Sequence, residues 1–215
     1  MRLALFDMDG TLIDSMWVWE YAPAGALKLL GIAPDKEAFE IFRTKGYRET
    51  AKYLIAKHNL NMDRHEFMDL MDRAVVPFYE TEVQLKAGAI EYLAYLKSSN
   101  VKICILTANK TELVNLIRVR FGLDAYISDY LTTTDFGLGK GEAELFIKLA
   151  KLYEVSLSEC VLFEDSRYAI ETANAVGVNT VAVQDRFSKK DEAYLRQNST
   201  RFISSFTELI ADDDL

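Results

Sequence analysis

Short apolar runs alternate with helical patterns over most of this chain of 215 residues. The apolar runs fall at residues 3–6, 101–106, 125–127, 160–163 and 178–183. Helical apolar spacing separates the later runs, at residues 89–97, 110–120, 141–153 and 168–175. Such alternation is typical of βαβ units, so the pattern predicts an α/β fold with a doubly wound parallel sheet.

The segment between the first two apolar runs has a different pattern. Residues 16–79 show helical spacing almost throughout, with breaks at 31–34 and 59–61, and contain no run typical of a buried strand. We therefore predict an all-helical domain of about four helices at residues 15–79. It is inserted into an α/β domain formed by residues 1–14 and 80–215, with hinges at 12–15 and 78–86.

Two aspartates, Asp7 and Asp9, follow the first apolar run directly. Side chains in an extended chain repeat every second residue, so both carboxylates should lie on the same side at the carboxyl end of the strand. Open α/β sheets bind ligands at that end. Two like charges this close require a metal ion, a raised pKa on one of them, or a structural role. A turn formed by Asp9 and Gly10 would explain Asp9 and leave Asp7 unexplained.

Polar residues also follow the other predicted strands. They are Thr107, Ala108 and Asn109 after the second run, Lys140 in the loop 135–141, and Glu164 and Asp165 after the fourth. Taken singly, Thr107 is typical of a helix N-cap, Lys140 of a surface lysine, and Glu164 with Asp165 of a helix cap. Because all of them would converge on one edge of a parallel sheet, their combination indicates an active site.

These motifs resemble, in order and spacing, those of the haloacid dehalogenase-like superfamily, in particular its phosphatases with a helical cap after the first motif. The resemblance rests on DMDGT, Thr107, Lys140 and the FEDS motif at 163–166, and covers nearly the whole chain. It implies a Rossmann-like core with an inserted cap. It also implies Mg²⁺-dependent hydrolysis of a small-molecule phosphomonoester through an aspartyl-phosphate intermediate.

The resemblance assigns a role to each core motif. Asp7 would be the nucleophile and Asp9 the general acid and then base, with its backbone carbonyl also a metal ligand. A hard cation with oxygen ligands fits Asp7 and Asp165, and Glu164 either touches the ion or supports its ligands. The phosphate would be held by Lys140 and the segment Thr107, Ala108 and Asn109.

The cap should supply substrate specificity, since the core handles the phosphoryl group alone. Lys45 and Arg48 lie in the break at 44–48 between two predicted helices. They are candidates to meet a second anionic or hydroxylated part of the substrate, and the alternative is a solvated turn between helices.

Three positions depart from the family pattern. Gly141 follows Lys140 where proline is common, Ala87 precedes Gly88 where proline is again usual, and Tyr168 and Ala169 occupy a stretch that often contains glycine. These changes alter loop stiffness or helix approach and remove no reacting group. Activity therefore remains the expectation.

Two other functions remain as alternatives. The first is a sugar-phosphate mutase like the β-phosphoglucomutase branch, in which a histidine assists phosphoryl transfer at the position that matches Trp19 here. The second is a non-catalytic binder of phosphorylated ligands, which would have no chemical need for Asp9. Trp19 in place of a histidine and the presence of Asp9 both favour hydrolysis over these alternatives. The presence of Asp9 also disfavours dehalogenation.

The amino-acid composition restricts the classes of partner that this chain is expected to bind. A formal net charge of -8 argues against a general nucleic-acid or anionic-membrane surface, and no apolar run is long enough to span a bilayer. We therefore expect a cytoplasmic protein that acts on a small phosphorylated metabolite, as a monomer or weak homodimer. Both histidines fall in the helical insert, which excludes a Ser-His-Asp arrangement in the core. The acidic tail at 211–215 is expected to be a solvated chain end and not a metal site.

Overall fold

The computed structural model describes residues 1–211, apart from the side chains of residues 43, 44 and 211. The other four residues of the acidic tail lie outside the described residues. The chain forms two compact units, with one boundary between residues 14 and 15 and the other between residues 83 and 84. We call them the α/β unit and the helical unit, and describe each by itself.

The α/β unit contains a six-stranded sheet in which every paired strand is parallel. In chain order its strands are β1 (Leu3–Phe6), β4 (Lys102–Thr107), β5 (Asp129–Thr132), β6 (Cys160–Glu164), β7 (Asn179–Val183) and β8 (Arg201–Ile203). A separate antiparallel pair joins β2 (Ile13–Asp14) to β3 (Gln84–Leu85). The sheet order β5-β4-β1-β6-β7-β8 places β1 between β4 and β6. The prediction of a doubly wound α/β fold is confirmed.

The helical unit consists of α1 (Met16–Leu29), α2 (Lys36–Lys57) and α3 (Arg64–Thr81). Segment α2 is two helices, because Gly46 has φ 69° and ψ 179°. Its ends meet: the Lys57 ammonium lies 2.8 Å from Asp35, the N-cap residue. A straight helix of this length would separate them by about 33 Å. The unit therefore has the four helices that the spacing predicts.

In the part of the chain that the structure describes, the α/β unit has seven α-helices: α4 (Ala89–Ser98), α5 (Thr111–Arg120), α6 (Thr133–Phe136), α7 (Ala143–Leu152), α8 (Arg167–Ala175), α9 (Glu192–Asn198) and α10 (Thr207–Ala211). Helices α7 and α8 pack on the face of β1 that carries Leu3 and Leu5. Aromatic rings fill the other face, where Phe6 stacks on Phe163 with ring centroids 4.2 Å apart. The central strands are thus apolar on both faces, as buried parallel strands are.

One predicted strand is wrong, and the helix cap that Thr107 would suggest when taken singly is not observed. Residues Leu123–Ala125 form a short 3-10 helix, and the strand begins only at Asp129. Ile127 is apolar because it is buried in the turn that leads into β5. Thr107 caps no helix, since α5 begins at Thr111 with Lys110 as its N-cap residue.

None of the helices described in residues 1–211 is both long enough and apolar enough to cross a membrane.

Candidate active site

The first motif is placed by the pairing of the central strands. β1 ends at Phe6, which pairs with Phe163 of β6, and the Asp7 N–H donates to the Phe163 carbonyl at 2.9 Å. Asp7 therefore stands beside Glu164 at the carboxyl edge of the sheet. Gly10 then reverses the chain with φ 82°, a conformation that favours glycine, and donates its N–H to the Ile13 carbonyl.

Three carboxylates come together at this edge. Asp7, Glu164 and Asp165 are 6%, 1% and 5% exposed, and a ligand oxygen from each lies within 4.8 Å of the other two. Buried carboxylates this close repel one another, so the arrangement requires compensating positive charge.

Lys140 supplies part of that charge. It is only 4% exposed, and its ammonium contacts Asp7 and donates to Glu164 Oε2 at 2.7 Å. The loop that carries it is fastened by Glu142, whose Oε1 accepts from the Gly139 N–H at 2.7 Å. The ordinary surface lysine that its sequence context alone would favour is therefore excluded.

The pKa values of this cluster follow from burial and mutual charge. Burial raises the pKa of Asp7, and the charge of Glu164 raises it further against the opposing effect of Lys140. Burial also raises the pKa of Asp165, together with Glu164 and Asp7. For Lys140, burial lowers the pKa, but the charges of Asp7 and Glu164 outweigh it and hold the pKa above its usual range.

Asp9 has different surroundings from Asp7. It is partly buried, and its carboxylate accepts from the side-chain amide of Asn109. Asn109 is itself placed by Thr107, whose hydroxyl oxygen accepts the Asn109 N–H at 3.1 Å. The segment after β4 therefore positions Asp9, a contact that the sequence did not indicate. Ala108, between them, is exposed.

Both carboxylate oxygens of Glu164 already have partners. Oε1 accepts the N–H groups of Asp165 and Ser166 at 3.1 and 3.0 Å, and Oε2 accepts from Lys140. These contacts hold the backbone just before α8, whose N-cap residue Ser166 makes no side-chain cap hydrogen bond, so the helix-capping role considered for this segment is not observed. They leave Asp7 and Asp165 as the members of the cluster more open to a further ligand.

The donor set fits a hard divalent cation. The cluster offers carboxylate oxygens only, and its three carboxylates share one lysine that contacts two of them, so ionised side chains would leave uncompensated negative charge. Hard cations such as Mg²⁺ take oxygen ligands and offset such charge. Asp7 and Asp165 could hold the ion, with Glu164 orienting the backbone beside Asp165.

A second buried ion pair lies at the same edge and was not predicted. The Lys86 ammonium donates to Asp185 at 2.8 Å and to the Gln184 carbonyl at 3.1 Å, while its backbone N–H donates to the Leu12 carbonyl at 2.9 Å. Asp185 also contributes to raising the pKa of Asp165. It lies just after β7, so the strand-end reasoning applied to Asp7 would have found it.

Lys45 and Arg48 belong to the helical unit, on either side of Gly46. Both are exposed, and the Lys45 ammonium lies over the Tyr53 ring, 5.1 Å from its centroid. The core residues singled out from the sequence, by contrast, all lie in the α/β unit.

Comparison with known proteins identifies the family of this chain. The model of the haloacid dehalogenase-like hydrolase family matches residues 4–183. A Drosophila melanogaster protein named "Probable pseudouridine-5'-phosphatase" is 26% identical over 90% of this chain and 86% of its own length. Hexitol phosphatase A of Escherichia coli is 26% identical over 83% of this chain and 81% of its own.

The fold has a counterpart among solved structures. The crystal structure of CbbY from Rhodobacter sphaeroides, in complex with phosphate, is similar with a TM-score of 0.79 and 19% identity over 97% of this chain and 96% of that one. The family match covers most of the chain and includes every core motif. This chain therefore belongs to the haloacid dehalogenase-like hydrolase family, as its motifs predict.

Proposed function

We propose that this protein is a Mg²⁺-dependent phosphatase that hydrolyses a small phosphomonoester through an aspartyl-phosphate on Asp7. The observation that supports this proposal is that the two carboxylates of the first motif, those of Asp7 and Asp9, lie in different environments. Asp7 is buried against Lys140, while Asp9 is partly exposed and held by Asn109. Two carboxylates in different environments are suited to different roles, one as nucleophile and one as acid and base.

In the first step, a carboxylate oxygen of Asp7 attacks phosphorus and forms an acyl-phosphate. The bond from phosphorus to the ester oxygen breaks, and the protonated Asp9 gives its proton to the leaving alkoxide. Lys140 stays beside Asp7 and offsets the charge that gathers on the phosphoryl oxygens.

In the second step, Asp9 is a carboxylate and takes a proton from an attacking water. The water oxygen bonds to phosphorus, the acyl-phosphate bond breaks, and inorganic phosphate leaves with Asp7 restored. Asn109 would keep the Asp9 carboxylate in place through both steps, since its side-chain amide donates to it.

Asp7, Asp165 and the backbone carbonyl of Asp9 would hold the Mg²⁺ ion. Such an ion polarises a phosphoryl oxygen and offsets negative charge. The phosphate oxygens would be held by the Thr107 hydroxyl, the backbone at Ala108 and Asn109, and the Lys140 ammonium.

The leaving group is proposed to be a sugar or polyol. This rests on the relatives, of which one is named as a hexitol phosphatase and another as a validoxylamine A 7'-phosphate phosphatase. Lys45 and Arg48 are proposed to contact it, because both are exposed cationic groups at a break in a helical segment.

The surroundings of Trp19 disfavour the mutase alternative. Its indole N–H donates to the Tyr79 hydroxyl at 3.2 Å, and its ring packs edge-on against Tyr47. An indole is a donor only and cannot take the acid-base role of a histidine. Hydrolysis therefore ranks above phosphoryl transfer within a sugar phosphate.

The test is phosphate release from a panel of sugar, polyol and nucleoside phosphates and phosphoglycolate, with Mg²⁺ or with a chelator. We expect metal-dependent turnover that Asp7→Asn abolishes. The matched control is Asp124→Asn, which changes an exposed aspartate paired with Arg118 and should leave turnover unchanged.

Absence of phosphate release by folded protein in Mg²⁺ would contradict the proposal. Conversion of β-glucose 1-phosphate to glucose 6-phosphate faster than phosphate release would instead establish the mutase.

A further inference from the structure

Two departures from the family pattern, Gly141 and Tyr168, meet in space. A Cβ atom placed on Gly141 would lie 3.5 Å from Cδ2 and 3.9 Å from Cε2 of the Tyr168 ring. The ring therefore lies against the backbone of the residue that follows Lys140. Gly141 is outside the left-handed region, so its conformation alone does not call for glycine. A Cβ atom at these distances would be in ordinary van der Waals contact with the ring, so the two residues are close neighbours without crowding.

Tyr168 is not one of the buried residues of α8. Ala169, Ile170 and Ala173 of α8 are buried, whereas Tyr168 is 52% exposed. Large aromatic side chains normally contribute area to a core or an interface. A half-exposed ring held in place beside a catalytic loop is therefore available for contact with a ligand.

The position of Tyr168 in the chain places it near the candidate site. It is in the first turn of α8, three residues after Asp165, and its ring lies beside the residue that follows Lys140. Burial and the charge of Glu164 raise the pKa of Tyr168, against the opposing effect of Lys140. Tyr168 thus offers a half-exposed ring beside the loop that carries Lys140.

We propose that Tyr168 is a specificity-determining residue that contacts the leaving group of the phosphomonoester. The inference rests on the proposed function and deepens it. The C–H groups of a sugar or polyol would pack on the ring, and the phenol would hydrogen-bond a substrate hydroxyl. Lys140 and Thr107 serve the phosphoryl group common to all substrates, so Tyr168 distinguishes between esters.

The first experiment compares Tyr168→Ala and Tyr168→Phe with the unchanged protein. For sorbitol 6-phosphate we expect KM to rise about 10-fold in Tyr168→Ala with little change in kcat, the size typical of one lost apolar contact in a specificity pocket. KM for phosphoglycolate, whose leaving group is small, and the inhibition constant of inorganic phosphate should not change. Tyr168→Phe should retain the ring contribution and lose only that of the hydroxyl.

Val119→Ala, at a position 79% exposed on α5, is the control for loss of exposed apolar area.

A binding measurement keeps this inference separate from the phosphatase proposal. In the Asp7→Asn background, Tyr168→Ala should weaken sorbitol 6-phosphate about 10-fold by calorimetry and leave inorganic phosphate unchanged. This result would stand even if the protein hydrolysed nothing. Equal weakening of both ligands, or no change in either, would overturn the role of Tyr168.

Discussion

Lys140 is buried between Asp7 and Glu164, and its ammonium is held by both carboxylates. Removing one partner of a buried ion pair leaves the other charge without compensation. For Lys140→Met we therefore expect the free energy of unfolding to fall by about 3–5 kcal/mol. We also expect kcat to fall about 10²–10³-fold, as for the loss of one charge-stabilising donor.

Chemical denaturation and steady-state kinetics would measure these two effects. Lys148→Met is the control, because Lys148 forms only an exposed pair with Glu144 on α7. A Lys140→Met variant with nearly unchanged kcat would show that this lysine serves structure alone.

Gly46 is the single residue that divides α2. Its φ of 69° and ψ of 179° lie in a region populated almost only by glycine. Gly46→Ala should therefore lower the free energy of unfolding by about 1–3 kcal/mol, although no atom crowds the position. Gly122→Ala, also at positive φ and uncrowded, should cost less because its φ of 61° and ψ of 35° lie in the left-handed helical region, which is open to other residues. Denaturation curves of equal slope would make the comparison, and an unchanged Gly46→Ala would refute this account of the break.

Among the secondary-structure elements, the Lys86–Asp185 ion pair connects the segment just after β3 to the segment just after β7. Lys86→Met should cost about 3–5 kcal/mol, because Asp185 stays buried without its cation. The double variant Lys86→Met with Asp185→Asn should be more stable than Lys86→Met, since the remaining amide still accepts the Phe187 N–H. A double-mutant cycle by urea denaturation measures this coupling.

Arg118→Met provides the comparison for that cycle. Arg118 and Asp124 form an exposed pair, which is worth about 1 kcal/mol at most. Strictly additive effects of the Lys86 and Asp185 changes would mean that the buried pair carries no coupling.

The two ends of α2 are joined by ionic contacts that predict a pH response. The Lys57 ammonium lowers the pKa of Asp35, assisted by the Ala38 N–H, and lowers that of Glu37, assisted by Tyr53. Because these pKa values are below their ordinary values, the contact stabilises the unit above pH about 4 and is lost as pH falls through the lowered values.

NMR titration of the Asp35 and Glu37 carboxyl carbons would check this. In Lys57→Met both pKa values should rise toward ordinary ones, while Lys36→Met, which changes an exposed i,i+4 pair with Glu40, should leave them in place. No rise in Lys57→Met would mean that the ends of α2 are not held in this way.

Much of the fold follows from local pattern, and the errors have physical causes. The strands at β1, β4, β6 and β7 are continuous apolar runs, which are typical of strands buried on both faces. β8 was missed because Arg201–Ile203 is only three residues long and begins with a charge. The strand expected at 125–127 is wrong because a buried turn and a short buried strand have the same apolar signal.

The sequence indicated which residues lie in the candidate site better than it indicated which of them are in contact. Asp7, Lys140 and Asp165 could be named because each follows a strand or lies in a loop at the same edge. Which groups touch could not be read from the chain, since Lys86 and Asp185 are 99 residues apart. The pairing of Asn109 with Asp9 likewise depends on how β4 lies beside β1.

For the molecule as a whole, the balance of charge decides what it can bind. The net charge of -8 would repel a phosphorylated substrate at long range. At the candidate site, Asp7, Glu164 and Asp165 add local negative charge that Lys140 offsets only in part. In the proposed reaction, an anionic ester would therefore need a further cation in the site before it could approach Asp7.

The excess negative charge of the carboxylate cluster predicts that Mg²⁺ stabilises the folded chain without any substrate. An ion that binds only the folded state raises the free energy of unfolding, by about 2.7 kcal/mol at one hundred times its Kd. Urea denaturation in Mg²⁺ and in chelator would measure the increment. Asp165→Asn should remove most of it, whereas Asp124→Asn, at an exposed position, should retain it. If the unchanged protein were equally stable in both solutions, the carboxylate cluster would not be a divalent-ion site, and the anionic ester would have to reach Asp7 through Lys140 alone.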